Sequence, residues 1–102
     1  MVQETTTTRF SREAMPQYEP QWQYLDASRL WGDCWGELQN WLEKHYVDDP
    51  QQTVVWEASD RLRWRYDFKE MKQFRVEREN EAAEWTVTST KVIRRILKPI
   101  PY

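Results

Sequence analysis

The stretch "RLWGDCWGELQNWLEKHY", Arg29–Tyr46, decides the fold, since it holds both glycines of the chain and three of its seven tryptophans. Read at 100° per residue, Leu30, Trp31, Cys34, Trp35, Leu38, Trp41, Leu42, His45 and Tyr46 share one arc of about 160°, with Asp33, Glu37, Asn40 and Lys44 opposite. That pattern predicts a single amphipathic helix over 27–46. Asp26 suits its N-cap, Leu25 and Leu30 have the hydrophobic-staple spacing, and the proline of "DDP" ends it. Gly32 and Gly36 then lie four apart at the border of the arc, each costing about 0.5–1 kcal/mol relative to alanine. A bare backbone beside Trp31 and Trp35 implies close approach by another element. That element is the protein's own sheet or N-terminal arm, or else a partner chain, including a second copy that would make a homo-oligomer through this Gly32/Gly36 notch.

After Pro50 the period changes to two. Leu62, Trp64, Tyr66 and Phe68 alternate with Arg61, Arg63, Arg65 and Asp67, the pattern of a half-buried strand. A loop of about three residues at "EASDR" places Val54 and Trp56 on the face of Leu62 and Trp64. Phe74 and Val76, then Trp85 and Val87, predict a third and fourth strand. A helix over 70–84, starting from the capping-box spacing of "DFKE", is the competing assignment. The C-terminal "KVIRRILKPIPY" reads as a short helix capped by Ser89, or as an extended strand through Thr90–Leu97.

The fold expected is therefore α+β: one long amphipathic helix packed on an antiparallel β-meander of three to four strands, with a short C-terminal element. Leu30, Trp31, Trp35, Leu38, Trp41 and Leu42 supply the helix side of its core. Leu62, Trp64, Tyr66, Phe68, Phe74, Val76, Trp85 and Val87 supply the sheet side. At 102 residues the chain makes one domain, assigned to 21–102, behind a flexible N-terminal arm over 1–20 that is rich in Thr, Gln and Glu. Mean hydropathy is −0.99, but fifteen per cent of residues are aromatic, and each large ring buries about 150–250 Å², so a small core is affordable.

A net charge of −2 and a pI near 5.4 give no general attraction to nucleic acid or anionic membrane. One cysteine allows no internal disulfide and suits a reducing compartment, and no secretory h-region or run of about 18 apolar residues is present. A cytoplasmic protein without a membrane span is expected.

Little in the sequence points to catalysis. His45 is the only histidine and there is no cysteine pair, so no zinc or iron ligand set exists, and no metal or cofactor is expected. Cys34 and His45 are eleven residues apart, about 16 Å along a helix, too far for a nucleophilic couple. No glycine remains for a phosphate loop. Two surfaces carry more signal. The surplus aromatics, Trp22, Tyr24, Trp56 and Tyr102, fit a protein-binding margin of the kind enriched in interface hot spots. Arg61, Arg63 and Arg65, joined by Arg75 from a neighbouring strand, form a plate that pairs with local carboxylates or holds single-stranded nucleic acid. The expected function is a small non-enzymatic interaction module, an adaptor or accessory subunit, with RNA binding through the arginine face as the alternative.

Overall fold

Asp26 decides where the predicted helix fails. Its Oδ1 accepts hydrogen bonds from the backbone N–H of Ser28 at 2.8 Å and of Leu30 at 3.0 Å, while Arg29 takes a left-handed φ of 64°. This is a side-chain-stabilised turn built by the residue type that also caps helices. The turn folds the chain back on itself, so residues read as the helix's first turns become a strand. The structure, a computed structural model, describes residues 17–101. Its elements are β1 (Gln17–Leu25), β2 (Trp31–Asp33), α1 (Gly36–Asp48), β3 (Thr53–Ser59), β4 (Leu62–Asp67), β5 (Lys72–Glu77) and β6 (Thr86–Ile100).

The long helix on a three- or four-stranded meander is thus corrected. Among the described residues, six antiparallel strands form one sheet in the order β2-β1-β6-β5-β4-β3, crossed by a single helix of 13 residues. The short C-terminal element is in fact the longest strand, at 15 residues. Strand β6 joins two half-sheets: its first part pairs with β5 and Ile93–Ile100 pairs with β1. The expected boundary at residue 20 falls inside β1; residues 1–16 and Tyr102 lie outside the described residues. No helix among the described residues is long and apolar enough to cross a membrane.

Period-two reading succeeds over β3 and β4. Val54 pairs with Tyr66 and Trp56 with Trp64, as the pattern demands. The register is kept by a bulge between Glu57 and Ser59 followed by a tight turn, rather than by a longer loop. Residues 70–84 contain β5 and a loop, not a helix.

The core lies between α1 and one sheet face. Trp22, Leu42, Tyr66, Phe68 and Ile93 are nearly inaccessible, with Leu38, Cys34 and Val54 beside them. Trp22 packs edge-on to Tyr46 at 5.3 Å and against Phe68 at 5.4 Å. Three expected core residues are exposed instead: Leu30 (65%), Trp35 (53%) and Val87 (44%). Leu30 sits in the β1–β2 turn, Trp35 is the helix N-cap, and Val87 faces the uncovered side of the sheet. Trp31, Phe74 and Trp85 are only half-buried, because they also lie on that side, under arginines.

Polar bonds tie α1 down. The carboxamide of Gln39 donates to the carbonyls of Trp22 (2.6 Å) and Cys34 (2.9 Å), and accepts from the Trp22 N–H at 2.6 Å. It continues the β1 ladder where β2 stops, since Cys34 N–H also donates to Trp22 O at 3.0 Å. At the other end of α1, Gln52 Nε2 donates to His45 O at 2.8 Å.

The two glycines do different things and form no notch. Gly32 pairs with Tyr24 across β1–β2, and a Cβ there would meet the Tyr24 ring at 3.0–3.4 Å. Gly36 opens α1, where a Cβ would meet nothing within 4 Å. Gly32→Ala is expected to cost about 1–3 kcal/mol by forcing the tyrosine aside. Gly36→Ala is expected to be neutral or to gain about 0.5–1 kcal/mol. Thermal melts of the two variants check this; equal losses would contradict the close approach at Gly32.

Candidate functional site

Strand alternation sends one residue from each of four strands into a row beneath the N-terminal end of α1. Tyr66 of β4 pairs with Gln73 of β5, and Gln73 pairs with Lys91 of β6. The Lys91 ammonium lies 5.0 Å from the Tyr24 ring centroid of β1, which completes the row. Above it, Trp35 and Trp41 each meet Trp56 edge-on at 5.1 Å. Beside them lies a cleft of about 370 Å³, whose lining includes Trp35, Trp56 and Trp64 together with Tyr24, Gln73 and Lys91. A volume of several hundred Å³ with few polar groups among aromatics is the usual shape of a small-ligand seat.

Gln73 is the informative group. It is 8% exposed, the single buried polar residue among the described core, and its side chain lines the cleft. Its carboxamide opens onto the cleft, where a bound molecule can reach both its donor and its acceptor. A group with one donor and one acceptor edge, held in an aromatic cleft, suits a ligand that offers both.

Electrostatics at the cleft favour neutral hydrogen-bonding groups beside one cation. Burial, with Asp33 adding to it, pushes the Cys34 thiol up to about 11, so it stays protonated near neutral pH and is a poor nucleophile. Burial first, and Cys34 second, raise the Tyr66 hydroxyl well above its ordinary range, leaving it a neutral donor. Lys91 contributes an ammonium and Asp33 a carboxylate to the lining. No cluster of three metal-ligating side chains occurs among the described residues.

The expected arginine plate divides between two faces. Arg63 and Arg65 do share the face that α1 leaves open, and Arg61 lies exposed in the β3–β4 turn. Arg75 pairs with Trp64 and so lies on the helix-side face, where it stacks 5.4 Å from that indole. Its Nε is buried without a partner. On the open face the guanidinium of Arg63 lies 4.1 Å from Trp85 and also meets Glu57 at 2.9 Å, and that of Arg65 lies 4.7 Å from Phe74. These arginines are engaged with neighbouring rings and a carboxylate, the local pairing that sheet faces use.

Of the other expected partner contacts, Trp22 is wholly buried and faces the core, so it cannot meet a partner. Tyr24 and Trp56 line the cleft. Sequence reasoning missed Gln73, Lys91 and Asp33. One signal was available: opposite Tyr66, the strand "KQFRVE" puts Gln73 on the core side, so its polar members and not Phe74 point inward. Compared with known protein families and with curated proteins, the chain matches none.

Proposed function

We propose that the chain is a recognition module that seats a planar, hydrogen-bonding ring bearing an anionic group in the cleft under α1, the chemistry of a nucleotide. The observation that carries this is Gln73, a polar residue more than nine-tenths buried whose side chain lines a cleft shared with Trp35, Trp56 and Trp64. The indole surfaces of Trp35, Trp56 and Trp64 suit ring stacking, the Gln73 amide suits a donor–acceptor edge, and the Lys91 ammonium suits phosphate or carboxylate. Binding without turnover fits the same groups, because Cys34 and Tyr66 are pushed toward their neutral forms. Such a module would serve a larger cytoplasmic assembly as an adaptor or accessory subunit, meeting a partner through the ligand it displays. Single-stranded RNA along Arg63 and Arg65 is the weaker reading, since both guanidinia already stack on aromatic rings.

Calorimetric titration with adenosine 5′-monophosphate, adenosine, ribose 5-phosphate and a mixed-sequence RNA tests the proposal. The monophosphate should bind, and adenosine and ribose 5-phosphate should each bind more weakly. Gln73→Ala and Lys91→Ala should each weaken binding by about 1–2 kcal/mol, roughly five- to thirtyfold. RNA binding abolished by changing Arg63 and Arg65 to Glu, with no binding of the monophosphate, would transfer the function to the other face. Absence of all binding would overturn both readings.

A further inference from the structure

The sheet has free edges, and the chain treats them unequally. Trp22 turns its N–H and C=O away from β6, toward Gln39 and Cys34. Because hydrogen-bonding direction alternates along a strand, Tyr18 and Pro20 also present their backbone outward on β1. Their cross-strand partners Pro99 and Leu97 do so on β6. Each edge of this projecting ribbon therefore carries a proline, which cannot donate to an added strand. The remaining edge beside β1 is β2, only three residues long.

Among the described residues, strand β3 has no such protection. Phe68 N–H donates to Gln52 O at 3.2 Å, which sets the direction of the β3–β4 ladder. Positions 54 and 56 point their backbone groups inward to β4, and Thr53, Val55 and Glu57 point theirs outward. The seven residues of β3, "TVVWEAS", contain no proline and no lysine, and Val55 is 44% exposed at the centre of the outward row. An edge without proline or lysine, whose outward row is Thr53, Val55 and Glu57, in a sheet whose other edges carry a proline or are three residues long, is a pairing surface.

We infer that β3 is a self-association edge, which takes β3 of a second copy in antiparallel register about a two-fold axis at Val55. The second copy is favoured because the row is self-complementary. Val55 meets Val55 of the partner subunit, and Thr53 meets Glu57 of the partner subunit, so a hydroxyl faces a carboxylate and no like charges are opposed. Each of these pairs exchanges two main-chain hydrogen bonds. The register stays on the N-terminal side of the bulge after Glu57, where the outward row is regular. The association leaves the ligand cleft on each copy intact and does not depend on it.

Sedimentation of the full chain over about a hundredfold range of concentration tests the inference. The wild type should pass from monomer to dimer. Val55→Pro removes an outward N–H that the chain's own ladder does not use, and should give a monomer with an unchanged far-ultraviolet spectrum. Val55→Lys places like charges at the axis and should raise the dimer Kd by about tenfold or more. Thr53→Lys faces the partner's Glu57 and should leave the dimer intact or tighter. A wild type that stays monomeric throughout would overturn the inference. So would a dimer that survives Val55→Lys, or one that Thr53→Lys dissolves as fully.

Discussion

Trp22→Ala is expected to cost about 3–5 kcal/mol, a large share of the roughly 5–15 kcal/mol that holds a domain of this size together. Trp22 is 0% exposed and stands where the long strands and the helix converge, with Tyr46 and Phe68 against its ring. Its indole N–H donates to Glu43 at 3.0 Å. Truncation therefore opens a cavity at the seam of the two half-sheets and strips a carboxylate of one donor. Trp35→Ala is the matched comparison. Trp35 is 53% exposed and touches Trp56 at the mouth of the cleft, so its loss should cost under about half as much. Urea unfolding with an unchanged m-value measures both. If Trp35→Ala proved as costly as Trp22→Ala, the core would have to be centred on the cleft instead.

The contrast between those indoles also marks how far the chain could be read unaided. Helical periodicity located Leu38, Trp41, Leu42 and Tyr46 on the covered face of α1, since these positions truly are helical. It failed at Trp31–Trp35 because a three-residue strand and a helical turn place apolar groups at compatible spacings, and because Asp26 serves a turn as well as a cap. What selects the strand is pairing with Gln23–Leu25, a contact that no local window contains. Period two found β4 because one side is covered by α1 and the other is open. In β5 the same rule found buried Val76 but gave the wrong face: Phe74 and Val76 lie on the open side, Phe74 under Arg65, while Gln73 faces inward. The cleft was hard to read for that reason, since only the register opposite Tyr66 tells Gln73 on a covered face from a glutamine in solvent. Trp56 and Tyr24 were legible as surplus aromatics, though the surface they serve is a concave one.

Glu43→Ala is expected to have the second-largest effect, about 2–3 kcal/mol, with a pH dependence that identifies its cause. Glu43 Oε1 accepts from Arg95 Nε at 2.8 Å and from Trp22 Nε1, and Oε2 accepts from Arg95 at 2.9 Å, so one carboxylate fastens α1 to β1 and β6. The Arg95 guanidinium also lies 5.2 Å from the Tyr46 ring. Removing the carboxylate leaves a buried indole N–H and a largely covered guanidinium unpaired. Partial exposure of both side chains, 23% for Glu43 and 28% for Arg95, holds the loss below that of a fully buried pair. Hydrogen bonding to Arg95, chiefly, and to Trp22 lowers the Glu43 carboxyl below its ordinary value despite burial. A folded value below the unfolded one means that the stabilisation is fully present above the ordinary glutamate range. It is then lost as pH falls from about 4.3 through the lowered folded value. The stability gap between wild type and Glu43→Ala should therefore be flat from neutral pH down to about 5 and close only in stronger acid. A double-mutant cycle with Arg95→Ala should return a coupling of about 1 kcal/mol or more. A gap that already closes between pH 7 and 5, or a coupling near zero, would mean that the helix is held by its apolar face alone.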